Sequence, residues 1–570
     1  EALGFTVNMD SPNDVGRIGG DLISIKALKV NGPINGKDIA VLRMLGGRDE
    51  EGNLIKTPTV VGQESLSLSK SSNSRRTVYL EASINYARTF GRHSVGALFL
   101  YQHSQKNYVN SSETDPDKFL PYRNQGIAGR VTYDYANRYF VEANFGYNGS
   151  ENFSPGNRFG FFPSVAVGWA ISNEEFFEKA KNVIDLLKFK ASYGLVGNDQ
   201  IGGGRRFIYL ETIENGYDYY FGSSNTKYTG IRLGDYPNPN VGWETVRKLN
   251  VGVDMSFFGK AKVQVDYFDE DRSGIFLQSS SIPEIAGLVN KPWINVGKMH
   301  NRGIDASLDY HQKIGQVDLT ARANFTYAHN TILDNDQPEW EYAYQNRIGQ
   351  SNWQTFGLVA DGLFQSQEEI DAWPTQKFGE VKPGDIRYID INGDGVVDDY
   401  DKKPIGFPDV PEISYGFGAS VRWKGFDVSI FFQGIDNVNF FINNSYTQPF
   451  IANKTRHSNV FADLYGNYWT EDNRDAKYPR LTIGSNTNNN QASTFWMVDG
   501  RYIRLKNAEI GYTLPKRITN RAHIDRLRIY VSGVNLLTFS PFKLWDPDLQ
   551  TGAAGYPNNR VYNIGATLVF

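Results

Sequence analysis

Apolar and polar side chains alternate along most of the chain from Thr77 to Phe570. In a β-strand, successive side chains point to opposite faces, so this alternation predicts strands with one apolar and one polar face. The clearest strand has its apolar positions at Val78, Leu80, Ala82, Ile84 and Tyr86.

The same unit recurs as pairs of predicted strands joined by tight turns. The pairs are 77–86 with 94–102, 127–135 with 139–147, 249–257 with 261–267, 304–310 with 317–327, 415–423 with 426–432, and 503–514 with 527–531, before a last strand at 561–570. We count about fifteen strands. Because single-chain bacterial barrels have an even number, at least one more is expected in the first 75 residues or is missing. A possible strand lies at 22–30.

Long loops alternate with the tight turns. They cover 197–243, 278–296, 331–411, 436–499 and 540–556. This asymmetry is typical of outer-membrane barrels, whereas a soluble sandwich has short turns at both ends. Strand ends rich in Tyr, Trp and Phe match the aromatic girdles of such barrels. On the short-turn side, a short helix is predicted from Ser172, with Phe176, Phe177, Ala180 and Val183 on one side.

Composition narrows the class of protein further. The 570 residues include no cysteine, which excludes a disulfide scaffold and thiolate metal sites. Mean hydropathy is −0.46, and no apolar run approaches the ~18 residues of a spanning helix. A spanning strand needs only ~9–11 residues. A net charge of −4 gives no basic footprint for nucleic acid. The fold class predicted is all-β, a transmembrane antiparallel barrel with its apolar face toward outer-membrane lipid.

Two absences shape the expectations further. The chain begins E-A-L-G-F-T-V, without the basic segment and apolar core of a signal peptide. We therefore expect that a leader was removed or that the sequence is a piece of a longer protein.

The seven histidines do not cluster at ligand spacing, and the glycine-rich stretch 197–204 lacks the Lys-Ser/Thr of a phosphate-binding loop. We therefore expect no enzyme activity and interpret 197–204 as the start of an external loop.

A calcium site is the sharpest local chemistry in the sequence. Residues 390–401 read D-I-N-G-D-G-V-V-D-D-Y-D. Calcium prefers six to eight oxygen ligands, which a twelve-residue loop supplies from positions 1, 3, 5, 7, 9 and 12. The predicted ligands are Asp390, Asn392, Asp394, the carbonyl of Val396, Asp398 and Asp401. Gly395 falls where the loop must turn sharply. The alternative is an acidic turn whose side chains only cap backbone amides.

Loop tryptophans are candidate cargo contacts. Sugars stack their C–H faces on aromatic rings, and peptides use the same apolar surfaces. The candidates are Trp340, Trp353, Trp373 and Trp469. The alternative for each is packing within the loops or contact with a partner.

The last strand ends on an aromatic residue. Its pattern polar-x-Gly-x-x-apolar-x-aromatic, formed by Asn563, Gly565, Leu568 and Phe570, resembles the sorting signal of bacterial outer-membrane barrels. Further stretches are L-P-Y-R-N-Q-G-I-A-G-R at 120–130, N-F-G-Y-N-G-S-E-N-F at 144–153, R-F-G-F-F-P-S at 158–164, A-S-Y-G at 191–194, N-R-G-I at 301–304, G-D-I-R-Y at 384–388, Y-P-R-L at 478–481, R-L-K-N at 504–507 and G-Y-T-L-P at 511–515. From about residue 77 to 570, the chain resembles the SusC/RagA family of TonB-linked outer-membrane proteins.

The resemblance implies a barrel of about 22 strands closed by an amino-terminal plug. It also implies import of oligosaccharides or peptides, energy from the TonB complex, and a SusD-like surface lipoprotein as partner. We find no plug, no TonB box and too little length for that many strands. We therefore expect the carboxy-terminal barrel portion, with 1–75 an uncertain start and 76–570 the barrel.

The function expected is TonB-energised import of oligosaccharides across the outer membrane of a Gram-negative bacterium. The alternatives are a peptide importer of the RagA type, a passive porin and a surface adhesin. A plug preceded by a TonB box, encoded upstream of Glu1, would favour the importer. A signal peptide directly before Glu1 would exclude it.

Overall fold

The computed structural model describes residues 40–42, 56–58, 73–110, 120–201, 205–288, 290–444, 447–448, 450, 462–551 and 555–570. The chain divides into two compact units, Glu1–Ser74 with Val109–Thr114 and Arg75–Tyr108 with Asp115–Phe570. In the first unit, β1 (Ala40–Leu42) pairs antiparallel with β2 (Lys56–Pro58). The possible strand at 22–30 lies outside the described residues.

The second unit is built on one large antiparallel sheet and several two-stranded ones. Its strands are β3 (Asn73–Phe90), β4 (His93–Asn110), β5 (Tyr122–Tyr135), β6 (Tyr139–Ser150), β7 (Phe159–Ala170), β8 (Ile184–Asn198), β9 (Ile213–Phe221), β10 (Thr226–Leu233), β11 (Glu244–Phe257), β12 (Ala261–Gln278), β13 (Trp293–Ile314), β14 (Val317–Asp334), β15 (Phe356–Gly357), β16 (Ala360–Leu363), β17 (Thr375–Gln376), β18 (Ile386–Tyr388), β19 (Val396–Val397), β20 (Lys403–Pro404), β21 (Ile413–Trp423), β22 (Phe426–Asp436), β23 (Asn439–Phe441), β24 (Met497–Asp499), β25 (Tyr502–Thr513), β26 (Arg526–Phe539) and β27 (Val561–Val569).

The large sheet has 15 strands, in the order β27-β26-β25-β22-β21-β14-β13-β12-β11-β8-β7-β6-β5-β4-β3. The predicted count of about fifteen agrees with this number, and the thirteen strands for which ranges were predicted are all present in the sheet. The pattern left β7 and β8 unassigned. Within the described part of the chain, β3 and β27 each have one neighbour, so they form the two edges of the sheet.

The pairing register between neighbouring strands places the apolar positions on one face of the sheet. Val253 lies opposite Val265 on one neighbouring strand and Phe189 on the other. Large apolar side chains on this face stay exposed, including Val131 and Ile304. A water-exposed apolar wall of this size would be unfavourable, but a lipid-covered one is what a spanning strand requires.

Tight turns join the strands at one end of the sheet. Ala136 and Asn137 both have φ of 53°, and Lys424 and Gly425 have φ of 49° and 89°. Positive φ at both central residues of such a turn matches the right-handed twist of the strands that it joins. Aromatic side chains collect near these turns, such as Phe426 and Tyr512, whose ring centroids lie 4.5 Å apart.

The short helix predicted from Ser172 is replaced by two 3₁₀ segments, Ile171–Asn173 and Glu175–Ala180. Glu174 separates them in an extended conformation, with φ −80° and ψ 150°. Its carboxylate accepts hydrogen bonds from Arg138 Nη1 at 3.2 Å and Trp169 Nε1 at 3.1 Å. These contacts to the turn between β5 and β6 and to β7 hold Glu174 out of helical geometry.

All five predicted long loops are confirmed, and they contain structure of their own. Five small sheets pair β9 with β10, β15 with β20, β16 with β18, β17 with β19, and β23 with β24. Among the described residues, the long loops contain α1 (Gln367–Ala372) and the 3₁₀ segments Glu284–Ala286, Ala343–Gln345, Asp399–Asp401 and Pro547–Leu549. The connection between β25 and β26 contains α2 (Lys516–Thr519) and the 3₁₀ segment Asn520–Ala522. Among the described residues, no helix is long and apolar enough to cross a membrane.

Candidate functional site: the outer loops and the lumen wall

Three long loops share one apolar core, which we call the loop core. Leu358 and Tyr388 come from the loop between β14 and β21, Phe440 and Trp496 from the loop between β22 and β25, and Phe542 from the loop before β27. All five are buried. These loops therefore form a packed layer with defined positions for the side chains it presents.

A fully buried carboxylate joins two of the loops. Asp385 accepts hydrogen bonds from Arg480 Nη2 at 2.9 Å, Asn486 Nδ2 at 2.8 Å and Asn489 Nδ2 at 2.9 Å. The backbone N–H of Lys382 adds a fourth at 2.8 Å. A buried charge is costly unless it is paired and hydrogen-bonded, and these donors supply both conditions. The stretches G-D-I-R-Y and Y-P-R-L therefore contribute to loop architecture.

Gly384 has a steric reason to be glycine. Its φ is 89°, and a Cβ at this position would overlap the ring of Trp469. Trp469 is buried, and its Nε1 donates to Gln365 Oε1 at 3.1 Å. The structure thus places this candidate cargo residue inside the loop layer.

Arg504 ties the last long loop to β25. It is 1% exposed and donates to Asp546 Oδ1 at 2.5 Å and Asp548 Oδ2 at 2.7 Å. Its Nε donates to Thr538 Oγ1 at 3.0 Å. A planar guanidinium suits two such partners at once, so this residue fixes the loop between β26 and β27.

The other three candidate tryptophans differ in exposure. Trp373 donates from Nε1 to the carbonyl of Tyr388 at 2.8 Å, and the Arg387 guanidinium lies 4.7 Å from its ring centroid. Trp340 is 44% exposed and Trp353 is 54% exposed. The structure therefore leaves Trp340 and Trp353 most accessible to a ligand.

The predicted calcium loop turns where its glycines predict. Gly393 and Gly395 have φ of 75° and 84°. Asp390 accepts from their two backbone N–H groups at 2.7 and 2.8 Å. Asn392 Oδ1 accepts from the Asp394 N–H at 3.1 Å. The side chains that calcium would use thus cap the backbone of their own loop.

The far end of this loop is closed by a buried carboxylate. Asp401 accepts from the N–H of Ile391 at 2.7 Å and of Asp398 at 2.8 Å. Burial, with the charges of Asp401 and Asp390 nearby, raises the pKa of Tyr344 to about 12. Val396 lies in β19, which pairs with β17. The proposed ligands share one acidic loop, and calcium binding stays a prediction.

A second group of metal-ligating side chains lies on the outer face of the sheet. Asp269, Asp271 and His300 are the one set of three in the described chain whose ligand atoms lie within 4.8 Å of one another. His300 places Nδ1 2.9 Å from Asp271 and Nε2 3.4 Å from Asp269. Each ring nitrogen faces a different carboxylate, so the imidazole lies between the two aspartates.

The inner face of the sheet carries charged clusters. Lys190 Nζ lies 3.0 Å from carboxylate oxygens of both Asp254 and Asp266. Arg528 contacts Asp427 and Glu509 on neighbouring strands. Alternation places these residues opposite the apolar face, as a polar lumen wall requires.

The hairpin β9–β10 carries an exposed aromatic face that the sequence pattern did not reveal. Tyr217, Tyr219, Phe221 and Tyr228 are each more than half exposed, and Phe221 and Tyr228 meet edge to face with centroids 5.7 Å apart. A single hairpin is marginally stable in water, and a contiguous apolar patch indicates a contact surface.

The candidate sorting signal lies on an edge strand. Asn563, Gly565 and Leu568 belong to β27, which pairs with β26, and Phe570 follows it. Leu568 faces Leu527 on the apolar side, as its alternation predicts. Its role in sorting stays a prediction.

Comparison with known proteins identifies the fold family. The sequence model described as "TonB dependent receptor-like, beta-barrel" matches residues 47–536. The chain belongs to this family. It is 29% identical to the TonB-dependent receptor P3 of Formosa agariphila over 78% of this chain and 45% of that protein. It is 26% identical to the TonB-dependent receptor SusC of Bacteroides thetaiotaomicron over 78% of this chain and 43% of that protein.

The fold agrees with this membership. The structure titled "Structure of the RagAB peptide transporter" aligns with a TM-score of 0.67 and 21% identity, over 87% of this chain and 55% of that one. The predicted all-β barrel, the SusC/RagA resemblance and the outer-membrane location are confirmed. The prediction that the chain is not an enzyme agrees with membership in the TonB-dependent barrel family. The chain spans about half the length of the curated relatives it matches.

Proposed function

We propose that this TonB-dependent receptor barrel forms the wall and outer mouth of an active importer. The single observation behind this proposal is the match of residues 47–536 to the receptor barrel family. The apolar outer face suits contact with lipid, and the charged inner face suits a polar lumen. The packed loop layer suits a transporter in which access from outside to the lumen is restricted. In this proposal, segments outside this chain supply the plug and the contact with the TonB complex.

The test is uptake by cells that carry the complete gene. We expect uptake of labelled cargo to stop when tonB is deleted or when the proton gradient is collapsed. Uptake that continues without TonB would identify a passive porin. Surface attachment of cargo without any uptake would identify an adhesin.

We further propose a SusD-like surface lipoprotein as the partner, docked in part on the aromatic hairpin β9–β10. The exposed ring face of Tyr217, Tyr219 and Phe221 supports this choice, because aromatic side chains carry much of the energy at protein interfaces. We expect Tyr219→Ser with Phe221→Ser to reduce lipoprotein co-purification. Lys227→Gln, a change on the opposite, ion-paired face of the hairpin, is the control. Equal recovery with both variants would contradict docking at this face.

We propose oligosaccharides as cargo. Exposed Trp340 and Trp353 in the outer loops are suited to stacking on sugar rings. Peptides are the second candidate, because similarly folded structures include one described as a peptide transporter. Growth of a deletion strain on a panel of glycans and peptides decides between them, and loss of growth on peptides alone would overturn the first choice.

We propose calcium for the loop 390–401. The oxygen-rich side chains of Asp390, Asn392, Asp394 and Asp398 in one turn support it, and an external site needs an affinity of only about 10⁻⁴–10⁻³ M. We expect calcium to slow proteolysis of this loop in the wild type and to leave an Asp390→Ala/Asp394→Ala variant unaffected. If calcium gave the same result with both proteins, by calorimetry and by proteolysis, the loop would be only a turn with capped backbone amides and would not bind calcium.

A further inference from the structure

The connection between β25 and β26, residues 514–525, is rich in positive charge. It reads L-P-K-R-I-T-N-R-A-H-I-D, so Lys516, Arg517 and Arg521 stand against one acidic residue, Asp525. The side chains of the three cations are exposed, and within the described part of the chain none of them forms an ion pair. We call residues 516–521 the basic turn.

Two neighbouring side chains add to this charge. Lys424 lies in the turn between β21 and β22, which a backbone hydrogen bond of 2.7 Å joins to the end of β25. Arg526 begins β26. Both side chains are exposed, and neither forms an ion pair with a described residue. Five cations therefore lie in or next to the connection, against Asp525 and any carboxyl group at Phe570.

The carboxylates on the adjoining strands do not cancel this excess. Asp427 on β22 and Glu509 on β25 both contact Arg528, on the inner face of the sheet. Arg528 balances one of these two carboxylates, and even when the other is counted in full, the cations at this end of the sheet remain in excess.

Helical geometry places the exposed side chains of the basic turn together. Thr519 and Asn520, which join α2 to the following 3₁₀ segment, both have right-handed helical dihedral angles. Arg517 and Arg521 are four residues apart and therefore lie on one side of this segment. Thr519 is 3% exposed and marks the side that packs on the protein, whereas Ile518 is 56% exposed. The basic turn thus presents two guanidinium groups and an aliphatic side chain away from the strands.

The basic turn begins just beyond the aromatic girdle of the wall. Tyr512, Phe426 and Trp423 lie on the apolar face at this end of the sheet. The Lys424 ammonium lies 5.3 Å from the ring centroid of Trp423. Aromatic girdles lie at the level of the lipid headgroups, and the short turns of outer-membrane barrels lie on the periplasmic side. Because the basic turn starts four residues after Tyr512, it lies at the headgroups of the periplasmic leaflet.

We propose that the basic turn binds an anionic glycerophospholipid of the periplasmic leaflet. Lys516, Arg517 and Arg521 form charge-assisted hydrogen bonds to the headgroup phosphate, and Ile518 inserts beside the first acyl carbons. A zwitterionic headgroup binds more weakly, because its own ammonium group opposes the cations. The exposed Ile518 favours a lipid over a soluble anion, which would leave this apolar side chain in water. The inference rests on the barrel family and the apolar outer face, and it is independent of the cargo and of the energy source.

Lipid titration of the complete transporter, purified in detergent and followed by native mass spectrometry, tests this site. The probes are phosphatidylglycerol, phosphatidylethanolamine with the same acyl chains, and soluble glycerol 3-phosphate. We expect phosphatidylglycerol to bind at least about tenfold more tightly than either of the other two. Equal affinity for the two lipids would overturn the proposal. Binding of glycerol 3-phosphate as tight as that of phosphatidylglycerol would overturn it in favour of a site for soluble anions.

Charge variants assign the binding to the basic turn. Arg517→Gln/Arg521→Gln is expected to weaken phosphatidylglycerol binding about 25-fold, since each cation near an anionic lipid contributes about fivefold. Arg517→Lys/Arg521→Lys keeps both charges and is expected to stay within about threefold of the wild type. The control Lys227→Gln/Arg232→Gln makes the same change in net charge on β10, in the long loop between β8 and β11, and keeps wild-type affinity. Unchanged binding by the first variant, or equal weakening by the control, would refute the assignment.

The depth of Ile518 is measured independently. Ile518→Cys carries a fluorophore in proteoliposomes whose lipids bear a nitroxide near the headgroup end of the acyl chain. The 570 residues of this chain contain no other cysteine. We expect strong quenching at position 518 and none at Ile483→Cys, an exposed position in an outer loop. Absence of quenching at position 518 would overturn the insertion of this side chain into lipid.

A protein partner is the competing occupant of the basic turn. If Arg517→Gln/Arg521→Gln abolished TonB-dependent uptake while lipid affinity stayed unchanged, the turn would be a protein-docking surface and the lipid site would be refuted. We expect reduced lipid affinity in this variant, with the folded barrel still recovered as judged by heat-modifiable mobility.

Discussion

Removing the Asp385 carboxylate is expected to loosen the outer loop layer without disturbing the barrel. Asp385→Ala breaks a buried ion pair with Arg480, a loss of about 3–5 kcal/mol in proteins. Arg480 keeps 24% of its side chain exposed, so the released guanidinium regains some hydration and the lower end applies. A cost of about 3 kcal/mol raises the local opening equilibrium about 100-fold.

Limited proteolysis measures this opening. Cleavage of a locally opened segment follows the opening equilibrium when reclosing is fast, so we expect loop cleavage about 100-fold faster in the variant. Heat-modifiable mobility of the barrel stays unchanged. Asp475→Ala, an exposed change in the same loop, is the control and is expected to alter the rate less than about threefold. Similar cleavage rates for Asp385→Ala and wild type would refute the anchoring role of this carboxylate.

Three further changes test the wall and the loops. Val253→Arg on the lipid face is expected to cost about 2–4 kcal/mol and to reduce refolding into bilayers, whereas Asp254→Asn on the lumen face is tolerated. Equal refolding yields for the two variants would contradict the assignment of Val253 to the lipid face and Asp254 to the lumen face. Gly384→Ala is expected to expose the indole of Trp469, which a red shift in tryptophan emission reports; an unchanged spectrum contradicts the steric argument. Arg504→Lys loses the two-pronged contact and is expected to speed cleavage within 540–560, while cleavage at the wild-type rate would show that charge alone suffices.

The strands of the wall could be predicted because their faces see different solvents. Lipid on one side and a polar lumen on the other require apolar and polar side chains to alternate along each strand. Val251 and Val253 are examples of the apolar positions. The pattern weakens in β7, where Pro163 and Gly168 interrupt it, and in β8, where the adjacent Leu186 and Leu187 break the alternation. Positive φ at Lys424 could not be foreseen from its residue type, although Gly425 marked the turn.

The loop layer escaped prediction because its contacts join distant segments. The stretch G-D-I-R-Y was recognised as a resemblance, but nothing in its spacing reveals that Asp385 meets Asn489. The short strands β15–β20 are two to four residues long and have no readable period. The aromatic face of β9–β10 was missed for another reason, since Tyr217 and Tyr219 alternate with polar residues too briefly to distinguish a hairpin from a loop.

The large separation in sequence between the residues that these loop contacts join determines the order in which the parts of the protein fold. The hydrogen bond between Asn489 and Asp385 joins residues 104 positions apart, and β21 and β22 lie between them. The outer layer therefore cannot close until those two strands have crossed to their places in the wall. Long-range closure is slow because the chain entropy is lost before the contact is gained. During that interval, segments that end up buried face the cell exterior unprotected, and the speed of barrel insertion decides how long they stay vulnerable to surface proteases.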